Sequence, residues 1–252
     1  MKRQTTVIII NSNDPTNQDE PTAPAEASST TVEEEDTTVV PQNEKNDSLL
    51  ISRDDYLSSG CHIGTKLKTT HSAQWIYRIT SYGLYVIDIV KTDERIRIAA
   101  KFLASFPADR VMVCSVRRYG RTPVKAFCNI VGAKPFADRF IPGTLTNPMI
   151  DQFHETDVLV ILDPHADKQA LAEARLARIP VVSFIDTDDY LNNIDLAIPV
   201  NNRGRKSLSR ILWLLARQVM RERGKIAPDG EIDLTVVDFE SKITRAPVEQ
   251  KR

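Results

Sequence analysis

Residues 194–224 read IDLAIPVNNRGRKSLSRILWLLARQVMRERG, an apolar run followed by a polar loop and a long amphipathic segment. The apolar run at 196–200 predicts a buried strand, and Ser207 is a suitable N-cap for a helix that continues through Arg223. Apolar side chains recur there at the spacing of one helical face: Leu208, Ile211, Leu212, Leu215 and Val219. A buried strand that leads through a loop into a core-packing helix is typical of an α/β sheet.

The opposite face of this helix and the loop before it carry cations and amides: Asn201, Asn202, Arg203, Arg205, Lys206, Arg210, Arg217 and Arg221. The only acidic residue between Asn201 and Arg223 is Glu222, whereas solvated helix faces usually mix both signs of charge. The free amides of a helix N-terminus also attract anions. The segment therefore predicts contact with a polyanion, and the alternative is an ordinary solvated surface helix.

Strand and helix patterns alternate through the residues before this unit. Continuous apolar runs predict strands at residues 110–116, 136–141, 157–162 and 180–185, and helical spacing predicts helices at 93–106, 122–131 and 168–178. Ahead of them, the sequence predicts a short helix at 54–58 and a β-hairpin of residues 75–79 and 84–89. Alternation with continuously apolar strands predicts an α/β fold, a doubly wound parallel sheet with helices on both faces.

Charge is divided unevenly along the 252 residues. Residues 1–47 hold ten acidic and three basic side chains and little periodic apolar content, while the remainder holds 30 bases and 24 acids. We therefore expect a disordered acidic extension at 1–47 and a basic domain at 48–224. Residues 225–252 are charged and sparse in apolar residues, and we expect a C-terminal extension that lies on a neighbouring protein.

Composition indicates a soluble protein of the cytoplasm. Hydrophobic content of 41% and charged content of 27% are ordinary for a globular protein. No apolar run approaches the ~20 residues of a membrane helix, and no secretory signal is evident. The three cysteines have no paired spacing, so we expect reduced core residues.

Aspartates after predicted strands raise the alternative of a magnesium-dependent hydrolase or phosphotransfer enzyme: Asp88, Asp163, Asp186, Asp188 and Asp189. Aspartate also ends strands because it caps helices and forms turns. The loop at 204–207 imitates the end of a phosphate-binding P-loop, but Pro199 stands where that motif needs its first glycine. The histidines lack metal-binding spacing. We predict no catalytic residue, metal site or cofactor.

Other loops combine cations with Asn, Thr, His or Tyr, and we expect them to contact RNA: Thr65, Lys66, Lys68, His71, Arg117, Arg118, Tyr119, Arg121, Arg139 and Asn147. Such side chains bind backbone phosphates, and Tyr119 could stack on a base. The basic residues at 117–121 follow a predicted strand, so they should share a sheet edge with Asp163.

Several of these segments together resemble one family, the small-subunit ribosomal protein S-two family. They are GCHIGT at 60–65, GLY at 83–85, KTDER at 91–95, FIPGTLTN at 140–147, Asp163-Pro164, IPV at 179–181 with Asp186-Thr187, and IPVNNRGRKS at 198–207. The last resembles the archaeal and eukaryotic branch, whose eukaryotic members are also called laminin receptor precursors. The resemblance runs from about residue 49 to residue 224.

This resemblance implies a flavodoxin-like parallel sheet without enzymatic activity, at the head–body junction of the small ribosomal subunit. The implied partners are small-subunit ribosomal RNA and neighbouring ribosomal proteins, with no membrane and no small-molecule substrate. The bacterial branch inserts a long coiled coil after the segment that corresponds to residues 144–147. Only residues 148–156 fill that position here, so the coiled coil is absent.

Overall fold

The structure is a computed structural model, and it describes residues 49–242. The helices are α1 (Arg53–Ser59), α2 (Ile89–Ala104), α3 (Arg121–Val131), α4 (Lys168–Ala177) and α5 (Arg205–Glu222). The strands are β1 (Ile76–Ile79), β2 (Tyr85–Ile87), β3 (Val111–Cys114), β4 (Lys134–Phe136), β5 (Val158–Ile161), β6 (Val181–Ile185) and β7 (Leu196–Pro199). The expected disorder of residues 1–47, and residues 243–252 of the C-terminal extension, lie outside this description.

Five strands form the main sheet, in the order β4-β3-β5-β6-β7, and every neighbouring pair is parallel. Counted within the sheet, this is the order 2-1-3-4-5 of flavodoxin-like folds. Strands β3, β5 and β6 are buried along their whole length, which is why their sequences are apolar apart from Ser183 in β6. The α/β fold class and the doubly wound, flavodoxin-like sheet are confirmed.

Alternate strand residues enter the cores on the two faces of the sheet. Val111 and Val113 belong to the larger core, which includes α2, α3 and α5. Met112 and Cys114 belong to a smaller core under α4. The apolar face predicted for α5 is confirmed, because its five residues are at most 1% exposed.

The start of α2 and the extent of β4 differ most from the sequence-based prediction. Helix α2 begins at Ile89 because Asp88 is its N-cap and accepts a hydrogen bond from the Val90 amide at 3.0 Å. Strand β4 ends at Phe136, the residue that the prediction gave as the start of a strand at 136–141. The chain leaves the sheet there because β3 also ends, opposite Phe136, and Phe140 then enters the core under α4.

The predicted hairpin is confirmed as an antiparallel pair, β1 with β2. Its turn uses Gly83 at a φ of 76°, a conformation that glycine adopts without a steric penalty. Residues 62–65 run along the other side of β2 and add backbone hydrogen bonds to it.

Residues 225–242 lie on the protein's own core. Phe239 is fully buried in the main core, and the Trp213 indole N–H donates to the Leu234 carbonyl at 2.8 Å. The expectation that this segment lies on a neighbouring protein is therefore wrong for the described part. Its few apolar residues are enough to hold the segment against the protein, because α5 presents an apolar face to them.

The three cysteines are buried and unpaired, as expected. Burial raises the pKa of the Cys61 thiol and keeps it in the neutral form. Within residues 49–242, no helix has the length and apolar content that crossing a membrane requires.

Candidate nucleic-acid interface

The cationic loops converge at the carboxyl edge of the parallel sheet. Residues 117–121 follow β3, Arg139 follows β4, and residues 201–206 follow β7. Parallel strands present their carboxyl ends at one edge, so loops that are far apart in sequence become neighbours there.

The loop at 64–72 joins the same edge through Thr187, which follows β6. The Thr65 and Thr187 hydroxyl oxygens are 2.9 Å apart, and the Thr69 amide donates to the Thr187 carbonyl at 3.0 Å. Gly64 permits this approach, because a Cβ there would lie 2.6 Å from the Thr187 methyl carbon. Thr187 therefore fixes the loop that carries Lys66 and Lys68 at the edge, a role that was not predicted from the sequence. Its place directly after an apolar strand was the available signal.

Asn201 shapes the loop before α5. Its side-chain oxygen accepts hydrogen bonds from the Arg203 and Gly204 amides, both at 3.0 Å, and its side-chain nitrogen donates to the Gly60 carbonyl at 3.2 Å. The turn directs Arg203 outward while the Asn201 amide is used internally. Holding this turn is therefore an alternative role for Asn201, beside the predicted contact with RNA.

Asn202 is fully buried and cannot face a ligand in this conformation. Its side-chain nitrogen donates to the Asp189 carboxylate at 2.7 Å. It ties the loop after β7 to the loop after β6. The prediction of Asn202 as an RNA contact has no support in this conformation, because the side chain is buried and bonded to Asp189.

The N-terminus of α5 also differs from the prediction. The helix begins at Arg205, and Ser207 lies inside its first turn rather than at the N-cap. The Ser207 side chain is buried and its hydroxyl donates to the Asn201 carbonyl at 2.6 Å. The N-cap position belongs to Gly204, and Asn201 organises the turn that leads into it.

The basic face predicted for α5 is largely covered. Arg217 is 5% exposed, donates to the Leu50 carbonyl at 2.7 Å and lies 4.7 Å above the Trp213 ring. Arg221 donates to the Gly230 carbonyl at 2.8 Å. The expectation of an open stripe through Arg217 is wrong, because the segments on either side of the sheet domain fold over it.

Two further arginines of α5 have acidic partners within the chain. Arg205 pairs with Glu240 at 3.0 Å, and Arg210 lies 3.4 Å from Asp55. Each side chain is partly exposed, so a guanidinium donor could still reach a ligand. Lys206, by contrast, is exposed and belongs to no ion pair within residues 49–242.

Charged side chains that follow β3 and β5 bind one another at the crevice between these strands. Ligands of flavodoxin-like folds bind at this position, where the strand order reverses. Here Arg117 forms an ion pair with the buried Asp163, whose other oxygen accepts from the His165 amide at 2.8 Å. Asp167 accepts from the Val116 amide at 2.8 Å, and burial raises the pKa of its carboxyl to about 6.

The aspartates after β6 hold loops in place. Asp186 accepts from the Thr187 amide at 2.7 Å, and Asp189 accepts from the Asp186 amide at 2.8 Å. Asp188 pairs with Arg203 at 2.5 Å. Burial, reinforced by the charge of Asp188, raises the pKa of Asp186 to about 7. These contacts match the structural interpretation of the strand-end aspartates, and Asp88, as described, is a helix cap.

Most of the predicted contact residues are exposed: Lys66, Lys68, His71, Arg118, Tyr119, Arg121, Arg139, Asn147, Arg203 and Lys206. Lys68 lies 5.6 Å from the centre of the Tyr85 ring, and Tyr119 is 42% exposed. Arg121 pairs with Asp138 at 3.1 Å. Thr65, Arg117, Asn201, Arg205 and Arg210 are half-buried.

Asn147 belongs to a different feature, a turned segment at 143–150. This segment is fixed to α4, because the Glu173 carboxylate accepts from the Gly143 amide at 2.8 Å and the Leu145 amide at 3.2 Å. The Asn147 side chain accepts from the Met149 amide at 3.0 Å. No hydrogen bond within residues 49–242 connects Asn147 with the cationic loops.

Similarity to known proteins identifies the family of this protein. The sequence model of Ribosomal protein S2 matches residues 150–222. The chain is 51% identical over 197 residues to the small ribosomal subunit protein uS2 of Staphylothermus marinus, covering 78% of this chain and 90% of that protein. The protein belongs to the ribosomal protein S2 family. Proteins of the same name from Thermofilum pendens and Ignicoccus hospitalis are 49% and 47% identical, over 77% and 79% of this chain and 91% and 96% of theirs.

These relatives identify the archaeal branch of the family, as the sequence motifs predicted. The family assignment makes the protein a structural ribosomal protein and not an enzyme. It also removes the magnesium-dependent enzyme as an alternative. The aspartates at the carboxyl edge then have a sufficient role in fixing the loops that carry cations.

Proposed function

We propose that this protein is a structural constituent of the small ribosomal subunit that binds ribosomal RNA through the carboxyl edge of its sheet and serves translation in the cytoplasm. The proposal rests on one observation. Separate cationic loops converge on one edge of the sheet, and most of their basic side chains are exposed there. The names of the relatives support a place in the small subunit. The family resemblance implies that this place is near the head–body junction. The proposal involves no membrane and no small-molecule substrate.

Two kinds of basic side chain would bind RNA at this edge in different ways. Arg117 and Arg203 are held by Asp163 and Asp188, so their guanidinium groups keep a defined direction and still have unused donors. Lys66 and Lys206 are exposed and belong to no ion pair in the described chain, so they can follow the phosphate backbone. Tyr119 would stack on an unpaired base.

We further propose that the three parts of the chain have separate roles. Residues 48–224 would form the RNA-binding domain, and residues 225–252 would be an extension that stabilises it. Residues 1–47 would be an acidic tail, supported by their ten acidic and three basic side chains.

The test is a salt titration of binding to a small-subunit RNA fragment, after co-sedimentation with small subunits has been established. Lys66→Ala combined with Lys206→Ala should lower the slope of log affinity against log salt by about two units, because two phosphate contacts are lost. The effect should be the same on RNA fragments of different sequence.

The matched control is Lys101→Ala combined with Lys134→Ala. Both lysines are exposed, but Lys101 lies in the last turn of α2 and Lys134 begins β4, away from the carboxyl ends of the strands. This variant has the same loss of charge and should keep the parent slope. Equal slopes in the two double variants would contradict an RNA interface at the carboxyl edge.

A further inference from the structure

The small hairpin has one unpaired edge. Strand β2 is bonded on both sides, since Gly64 donates to the Tyr85 carbonyl at 2.9 Å and Ile87 donates to the His62 carbonyl at 2.8 Å. Strand β1 is paired with β2 alone among residues 49–242. Its outer edge therefore presents backbone donors and acceptors that another strand could use.

The register identifies a residue on that outer edge. Ile79 lies opposite Tyr85, and the Tyr85 amide is turned away from β1 to the Thr65 carbonyl at 3.0 Å. The next pair along is hydrogen-bonded, with the Thr80 amide donating to the Leu84 carbonyl at 2.8 Å. In an antiparallel ladder, such pairs alternate, so the N–H and C=O of Ile79 are directed away from β2.

The side chains of this hairpin are unusually apolar for an exposed edge. Tyr77 and Ile79 are each 57% exposed, and Tyr82 in the turn is 82% exposed. Edge strands are usually protected by proline or by several charges. The main sheet follows that rule, since its edge strand β4 is three residues long and contains Pro135. Strand β1 has one cation, Arg78, and no proline, so its apolar surface indicates a covered site.

The charge of this region indicates the chemistry of the covering segment. No aspartate or glutamate occurs from residue 56 to residue 87, a stretch that contains Lys66, Lys68 and Arg78. Acidic side chains on a covering segment would be attracted to this positively charged stretch, and its Arg78 lies on β1 itself. Apolar side chains would cover Tyr77 and Ile79.

We propose that β1 is a docking edge for an extended segment of a partner protein that carries acidic and apolar side chains and adds a strand to the hairpin. Main-chain hydrogen bonds to Ile79 would give affinity, and Arg78 with its apolar neighbours would select the segment. An RNA partner would use phosphates and stacked bases and would leave the outward backbone of Ile79 unpaired. The inference rests on the proposed function, because the partner would be another protein of the same subunit.

Ile79→Pro is the sharpest variant, because it removes the outward amide and leaves the bonds between β1 and β2 in place. Proline is tolerated at an edge position whose N–H faces solvent. Ile79→Thr is the matched control, since it shortens the side chain and keeps the amide. Arg78→Glu is a second variant that changes the charge without altering the backbone.

The measurement uses purified small subunits that contain the full chain, with a photo-reactive benzophenone side chain in place of Tyr77. We expect cross-linking to one extended, acidic segment of a single subunit protein. Ile79→Pro and Arg78→Glu should each lower that yield at least about fivefold, and Ile79→Thr, which loses apolar contact but keeps the amide, should lower it less than Ile79→Pro.

Cross-links to RNA, cross-links to no protein, or equal yields from Ile79→Pro and Ile79→Thr would overturn this inference. If Ile79→Pro alone lowered the melting temperature, the yield from Arg78→Glu would decide, and an unchanged yield there would overturn the inference too. A parent chain that fails to sediment with small subunits would instead overturn the proposed function. The two failures are therefore distinguishable.

Discussion

At the scale of single residues, the aspartates at strand ends explain how the carboxyl edge keeps its shape. Asp163 and Asp186 are buried and accept hydrogen bonds from amides of the loops that follow their strands. A carboxylate can satisfy several amides at once, which makes it suited to fix a loop that must carry cations outward. The cost is that burial disfavours the charged form of the carboxylate.

The raised pKa of Asp186 predicts a pH dependence of stability. Burial raises the folded-state pKa of Asp186 to about 7, well above the ordinary value of an aspartate, so the folded protein retains a proton that the unfolded chain releases. Stability contributed by this group is fully present below about pH 4 and falls as the pH rises toward 7. Asp186→Asn, which resembles the protonated acid, should remove that fall.

The check on Asp186 is a series of urea denaturation curves between pH 4 and pH 8 for the parent and Asp186→Asn. The free energy of unfolding of the parent should decline relative to the variant by up to about 1.4 kcal/mol per pH unit between the two pKa values, and the difference should level off above pH 7. Subtracting the variant removes the contribution of other groups, including Asp167. Parallel curves would show that Asp186 is charged in the folded protein at all these pH values.

At the scale of elements, α5 shows what the sequence could and could not predict. Its apolar face follows from spacing alone, because one stripe of a helix must meet the sheet. The burial of Arg217 cannot be predicted from spacing. It depends on Leu50 and on residues 225–242, which fold over the helix from both ends of the described chain. Arginine has an apolar stem and a charged end, so helical position alone leaves its burial open.

The same limit applies to the loops. The strands β3, β5 and β6 were predictable because both of their sides are buried, which leaves an apolar run in the sequence that only Ser183 of β6 interrupts. That Asn202 bonds to Asp189, or that Thr187 supports the Thr65 loop, depends on the order of strands in the sheet. The residue types and the location of the candidate site could therefore be predicted. Which of its side chains bond within the protein and which face solvent could not.

Helix α5 gives a paired test of that division. Arg217→Ala should lower the free energy of unfolding by about 2 kcal/mol or more, because it removes a charged hydrogen bond to the Leu50 carbonyl and the packing on Trp213. The salt slope of RNA binding should be unchanged. Lys206→Ala should do the reverse, with unchanged stability and a slope lower by about one unit. A lower slope for Arg217→Ala at parent stability would mean that Arg217 is exposed and contacts RNA.

At the scale of the whole molecule, the two extensions of the chain differ in what they can contribute. Residues 225–242 place Phe239 in the main core and supply carbonyls to Trp213 and Arg221 of α5. Residues 1–47 have an excess of acidic side chains and little apolar content. The net charge of −1 conceals this division.

Two truncations test the contrast, with thermal melts followed by circular dichroism. Deleting residues 1–47 should leave the melting temperature within error, and it should increase non-specific RNA binding at low salt because a strongly acidic segment is lost. Deleting residues 225–252 should destabilise the protein, and Phe239→Ala alone should cost about 3–5 kcal/mol through the cavity that it leaves. The point substitution separates loss of packing from loss of charge, since it changes no charged group. A melting temperature that falls by several degrees without the acidic tail, or one that survives Phe239→Ala unchanged, would reverse the roles assigned to the two extensions.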